Sequence, residues 1–160
     1  DVSGFEYDRN SLNILKNYKI TKIIHHMQGI PSNMQNNPKY KNVLLDIYDF
    51  FEESINSRFF DKKIIIDPGI GFGKSGEDNI KLLNNIHSLK KVHNHICIGS
   101  SNKKYSSRLF ENIQTKEDLK IANLATFATS TLSDATYLRV HDVELTKDTV
   151  QVINKAKSLI

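Results

Sequence analysis

The 160-residue sequence predicts a parallel α/β fold of the (β/α)8 barrel type, with only part of a barrel present. Three observations predict it. Short β-branched runs alternate with longer amphipathic stretches, as βα units do. The first three runs are apolar without interruption, which suits parallel strands covered on both faces. Every run then ends in polar or glycine-rich sequence, the habit of a barrel that draws its site from the carboxyl ends of several strands. A doubly wound open sheet also fits the alternation, but it gathers its ligand groups near one switch point.

The elements follow in order. A helix over residues 11–18 carries Leu12, Ile14 and Leu15, and a strand at 22–25 reads Lys-Ile-Ile-His. The run over 43–60 places Val43, Leu44, Ile47, Phe50, Phe51 and Ile55 at helical spacing, with Pro38 ahead of it. The strand at 64–67 is Ile-Ile-Ile-Asp, and residues 78–91 carry the clearest helical stripe, Leu82, Leu83, Ile86 and Leu89. A third strand covers 95–98. A helix over 117–132 follows Thr115, with Asp118 three residues on from that cap. A fourth strand covers 136–140, and a last helix over 146–159 begins at Thr146 as its cap.

Composition bounds the function. Hydrophobic residues make up 39% and charged residues 25%, which is globular and not disordered. Lys plus Arg number 22 against 18 acidic residues, and the lysines are scattered, so neither a nucleic-acid partner nor a membrane is expected. The single cysteine, Cys97, excludes an intrachain disulfide framework, and no apolar run reaches spanning length. A cytoplasmic setting is the expectation. A whole barrel needs about 250 residues. The opening Asp1-Val2-Ser3-Gly4 reads like the end of a strand, so residues 1–160 are expected to form one partial domain, from the end of a fourth strand through an eighth helix.

Four strand ends carry the candidate chemistry. Asp67-Pro68-Gly69-Ile70-Gly71-Phe72-Gly73-Lys74 sets a carboxylate at a strand mouth, followed by a loop that permits close ligand approach. A carboxylate suits two adjacent N–H donors of an amino-bearing heterocycle. Gly73-Lys74-Ser75 is not a P-loop, because the required first glycine would fall at Pro68. Arg139 and His141, two residues apart on or just after a strand, point to one side and donate well to phosphate oxygens; pairing of Arg139 with Asp134 or Asp142 is the structural alternative. Lys103 and Lys104 follow Gly99-Ser100-Ser101 and add anion donors. His25 and His26 are adjacent, so their rings should point oppositely, one to the barrel mouth and the other packing outside it; without a cysteine cluster they make no zinc site. No elbow-type Ser-His-Asp order and no placed carboxylate pair is present.

Together these segments resemble dihydropteroate synthases over nearly all of the chain. The resemblance rests on Asp1-Val2-Ser3-Gly4, on His26-Met27-Gln28-Gly29-Ile30-Pro31 with Met34-Gln35, and on the 67–74 loop. It rests also on Gly99-Ser100-Ser101 with Lys103, and on Arg139-Val140-His141-Asp142-Val143, all in one order. It implies a pterin-binding (β/α)8 barrel and the joining of para-aminobenzoate to 6-hydroxymethyl-7,8-dihydropterin diphosphate in folate synthesis. It implies that Asp67 holds the pterin's 2-amino group and ring N–H, and that Lys103 contacts the pterin ring. Arg139 and His141 would anchor the diphosphate, Phe72 and Ser101 would meet para-aminobenzoate, and Gly71 and Gly99 would line the pocket. Lys103, Arg139 and His141 are the expected catalytic residues. Mg2+ is the expected cofactor, and the expected partners are a missing amino-terminal half of the barrel and a second copy in a homodimer. The sequence departs from the family at His25 (usually Met), at Asn102 (usually Arg), and at Asp118 or Leu119, where the family has Arg. A non-catalytic, synthase-like binding module is the alternative reading.

Overall fold

Lys22–His25 (β1) and Ile64–Asp67 (β2) pair in parallel, with His25 directly opposite Asp67. Cys97–Ile98 (β3) and Tyr137–Leu138 (β4) form a second parallel pair, and a bridge from Ile66 to Ile96 links the two. These relations come from a computed structural model, which describes residues 1–8, 10–15, 17–58, 63–99 and 115–159. Among the described residues the strands stand in sequence order and all neighbours run parallel, with no switch point, as in a barrel wall. They do not close. The described residues form two two-stranded sheets and no closed barrel, so the expected carboxyl-terminal part of a (β/α)8 barrel is corrected to an open arc of barrel type.

Successive residues of a strand face opposite sides. One side carries Ile24, Ile64, Ile66, Ile96 and Ile98, each at most 1% exposed. Helices cover it. Val43–Arg58 (α2, after the short α1 at Asn10–Leu15) turns Val43, Ile47 and Phe51 inward at four-residue spacing. Gly76–Asn84 (α3) adds Leu82 and Leu83, and a 3-10 helix over Ile86–Lys91 adds Ile86 and Leu89. Burying each such side chain contributes about 1.5–3 kcal/mol, and this cluster is the main core.

The helix ends correct several expected boundaries. α3 starts earlier than expected because Ser75 caps it, forming a capping box with Asp78, and it breaks at Asn85 into the 3-10 helix. Thr115 and Asp118 form the same kind of box at Lys116–Leu132 (α4). Val143–Lys157 (α5) is capped by Asp142 and not by Thr146, whose hydroxyl instead donates to the Asp142 carbonyl at 2.7 Å. α4 and α5 pack together, and Lys157 reaches Asp134 at 2.6 Å. No helix among the described residues is long and apolar enough to cross a membrane.

Candidate functional site

The opposite side of the sheet carries His25, Asp67, Cys97 and, just beyond β4, Arg139. That placement follows from register: His25 pairs with Asp67, Cys97 pairs with Tyr137, and the Arg139 N–H donates to the Ile98 carbonyl at 2.9 Å. Asp67 is 2% exposed. Its Oδ1 accepts from the Gly69 N–H at 2.9 Å, and its Oδ2 lies 4.0 Å from the Arg139 guanidinium. The guanidinium itself is open to solvent at the strand ends. Asp134 and Asp142 have other cationic partners, Lys157 and Lys120. Cys97, buried between these groups, has its thiol pushed up to about 12, first by burial and then by the Asp67 charge, with Arg139 opposing.

Gly99 explains how Arg139 fits. A side-chain Cβ at Gly99 would stand 2.8 Å from the guanidinium carbon, so the bare glycine lets the charged fork lie over the strand end. Gly69 has a backbone reason instead. Its φ is +71°, and a Cβ there would collide with the His26 carbonyl. The glycine lets the loop after β2 press directly on the loop after β1.

That second loop is tied down by several bonds. Gln28 and Lys39 exchange two hydrogen bonds of 2.9 Å, closing the turn through Gly29-Ile30-Pro31. Gln35 Nε2 donates to the Gly71 carbonyl at 2.9 Å, while the Gly71 N–H donates to Asn79 Oδ1 at 2.8 Å. The Tyr40 hydroxyl donates to the Gly73 carbonyl at 2.7 Å. The Phe72 ring stands edge-on to His25, with centroids 4.5 Å apart. His25 Nδ1 lies 2.9 Å from the Val2 carbonyl, so that nitrogen carries the ring proton.

The two adjacent rings point oppositely, His25 toward Asp67 and Phe72 and His26 toward the covering helix α2, and both are buried. His26 turns to Phe50, at a centroid distance of 4.8 Å, and to Lys74, whose Nζ is 3.0 Å from His26 Nδ1. Burial, and then the Lys74 charge, holds the His26 imidazole well below its ordinary pKa of 6.5, so it is neutral.

Of the residues expected from sequence, the structure brings Asp67, Gly99 and Arg139 together, with Phe72 joined to Asp67's register partner His25. Gly71 lies in the tied loop. His141 is exposed two residues past Arg139, directly before the α5 cap. Ser101, Lys103, Lys104 and Asn102 lie outside the described residues. Sequence reasoning missed the buried Lys74 and Asn79 and the half-buried Tyr40; the signal for Lys74 is its place at the end of the glycine-rich run. Among the described residues, no group of three or more His, Cys, Asp or Glu side chains stands where it would hold a metal, so the expected Mg2+ has no protein cage here. A cavity of about 530 Å3 opens elsewhere, between β4, α5 and the end of α4; it shares no residue with the Asp67–Arg139 cluster.

The family model described as "Pterin binding enzyme" matches residues 1–141. Among curated relatives, the chain is 31% identical over 148 residues to dihydropteroate synthase of Synechocystis, covering 90% of this chain and 51% of that protein. It is 32% identical over 148 residues to the Clostridium beijerinckii dihydropteroate synthase, covering 89% of this chain and 52% of that one. Among solved structures, the Yersinia pestis dihydropteroate synthase in complex with a sulfonamide drug superposes with a TM-score of 0.92 at 26% identity. That match covers 100% of this chain and 59% of that one. The enzyme from Stenotrophomonas maltophilia gives 0.90 at 26%, covering 100% and 61%. The chain thus spans about half the length of the curated relatives it matches. The likeness begins at residue 1 and runs through the whole chain. This corrects the expectation of a carboxyl-terminal remnant running from a fourth strand end, and the missing amino-terminal half is withdrawn as a partner. With most of its residues matched, the chain belongs to the pterin binding enzyme family.

Proposed function

We propose that the chain serves dihydropteroate synthesis, the transfer of a dihydropterin methylene from diphosphate to the amino group of para-aminobenzoate. The observation that carries this reading is the buried carboxylate of Asp67 set 4.0 Å from the exposed guanidinium of Arg139. A buried acceptor and an exposed anion donor at one strand mouth suit a substrate with an N–H-rich ring at one end and a diphosphate at the other.

In the reaction the bond between the methylene carbon and the diphosphate oxygen breaks, and a carbon–nitrogen bond forms. The amine loses a proton to solvent, and diphosphate departs. Asp67 orients the pterin through its paired acceptor oxygens. Arg139, with His141 beside it, meets the charge that collects on the leaving group, and such preorganised donors lower the barrier. Phe72 positions the aromatic amine behind the methylene, which supplies the orientation term. Lys103 and Ser101 complete the assignment as pterin and carboxylate contacts. An aniline-type amine is already neutral, so no strong general base is required. Mg2+ accompanies the reaction at the level of the family.

The test is dihydropteroate formation by the full-length polypeptide from the two substrates. Product from the natural protein, abolished in Asp67→Asn and Arg139→Ala, is the expected result. A folded full-length protein that binds neither substrate would overturn the reading. Substrate binding without turnover would select the non-catalytic module.

A further inference from the structure

Lys74 is 1% exposed, yet it ends a glycine-rich loop at the site. Its Nζ donates to the Phe72 carbonyl at 2.9 Å and to the Gly69 carbonyl at 3.1 Å, and it lies 3.0 Å from His26 Nδ1. It also stands 5.9 Å from the centre of the Tyr40 ring, within cation–π range. One buried ammonium therefore ties three points: the start of the loop after β2, its tip, and the histidine that ends β1's extension. A buried charge is tolerated only when such donors are matched, and the neutral state of His26 leaves its Nδ1 free to accept.

The Phe72 backbone is fixed from this side, while its ring is fixed by His25 from the other. We propose that Lys74 is a positioning residue whose buried ammonium fastens the Gly69 and Phe72 carbonyls to His26 and thereby sets the place of the Phe72 ring in the arylamine subsite. This rests on the reading of Phe72 as the para-aminobenzoate contact. Lys74 touches no substrate itself. The Asp67 backbone is held by the β1–β2 ladder and only its Oδ1 meets the tied loop, at the Gly69 N–H, so the pterin subsite should depend on Lys74 less than the arylamine subsite does.

The test compares Lys74→Met with the natural full-length protein in steady-state kinetics and in amide hydrogen exchange. The variant is expected to raise KM for para-aminobenzoate about tenfold while KM for the pterin diphosphate moves less than about threefold. The Phe72 amide, which bonds to the Gly69 carbonyl at 3.0 Å, should exchange about tenfold faster in the variant. Equal changes in both KM values, or none, would overturn the proposal. Should the variant fail to fold, the natural protein decides: a Phe72 amide protected like those of β2 supports the clamp, and an unprotected one overturns it. Should the natural protein make no dihydropteroate, the synthase reading falls, and exchange still decides whether Lys74 holds the loop.

Discussion

The Arg139 guanidinium reaches over the bare Gly99 to within 4.0 Å of the Asp67 carboxylate, joining the ends of β2 and β4 across β3. The carboxylate is buried and the guanidinium is open, so the pair is polarised along the axis from the sheet interior to the mouth. Asp67→Asn keeps the size and one acceptor oxygen for the Gly69 N–H, but it replaces the second acceptor with a donor. Product formation in a quenched assay should fall roughly 100-fold or more, since a mismatched buried hydrogen bond to a charged group costs about 3 kcal/mol. Thermal unfolding should show a folded protein.

Gly99→Ala separates function from stability. The three atoms nearest the new methyl all belong to the far end of the flexible Arg139 side chain, which can swing away at little cost. The urea midpoint should change by less than the equivalent of about 1 kcal/mol, the low end of what single substitutions cost. Inhibition by free diphosphate should weaken about tenfold, because the anion donor has moved. Unchanged inhibition would reject Arg139 as a diphosphate anchor.

Cys97 reports on the same cluster without touching substrate. With its thiol pushed up to about 12, almost none is thiolate at neutral pH, and the thiolate is the reactive form. The native protein should resist an aromatic disulfide reagent for hours, and the unfolded protein should react at once. Asp67→Asn removes one of the two causes of the rise, so its Cys97 should react faster than the natural one. An Asp67→Asn rate equal to the natural rate would deny the carboxylate's influence.

How much of this was legible in sequence depends on the range of the interaction. β1 and β2 appear at the expected residues because runs of two and three isoleucines leave few alternatives. β3 and β4 are shorter than expected, since pairing, and not composition, ends a strand. The Thr115–Asp118 cap was readable because it is local, whereas Ser75 was hidden by its place in a motif that pointed elsewhere. Asp67 and Arg139 were each visible as chemistry, but their approach depends on Gly99, whose role is visible only in three dimensions. Lys74 was least legible: a lysine after glycines reads as an exposed ligand donor, and only the fold buries it.

His26 makes stability depend on pH in a direction that can be worked out. Its folded pKa is depressed, so below the ordinary value of 6.5 the unfolded chain takes up a proton that the folded chain refuses. This contribution to stability is therefore whole above about pH 6.5. It is lost as pH falls from there toward the folded value, at up to about 1.4 kcal/mol per pH unit. Urea midpoints at about pH 7.5 and 5.5 should differ in the natural protein, and His26→Gln should flatten the difference. A slope unchanged by that substitution would assign the effect to other groups.

Gly69→Ala tests the contact between the two loops. The residue sits at φ +71°, where an L side chain is strained, and its Cβ would strike the His26 carbonyl, a backbone atom that cannot rotate away. Both effects act together, so the substitution should cost upward of about 2 kcal/mol in unfolding free energy. This contrasts with the small change expected for Gly99→Ala, where the obstructing atoms are a mobile side chain. The loss should fall on the 67–74 loop first, because that loop's bonds to His26, Gln35 and Tyr40 depend on the close approach. Amide exchange at Gly71 and Phe72 should therefore accelerate before exchange in the β1–β2 ladder does. Simultaneous acceleration of both would mean that the loop and the sheet unfold as one unit, and that Gly69 supports the whole core and not the site alone.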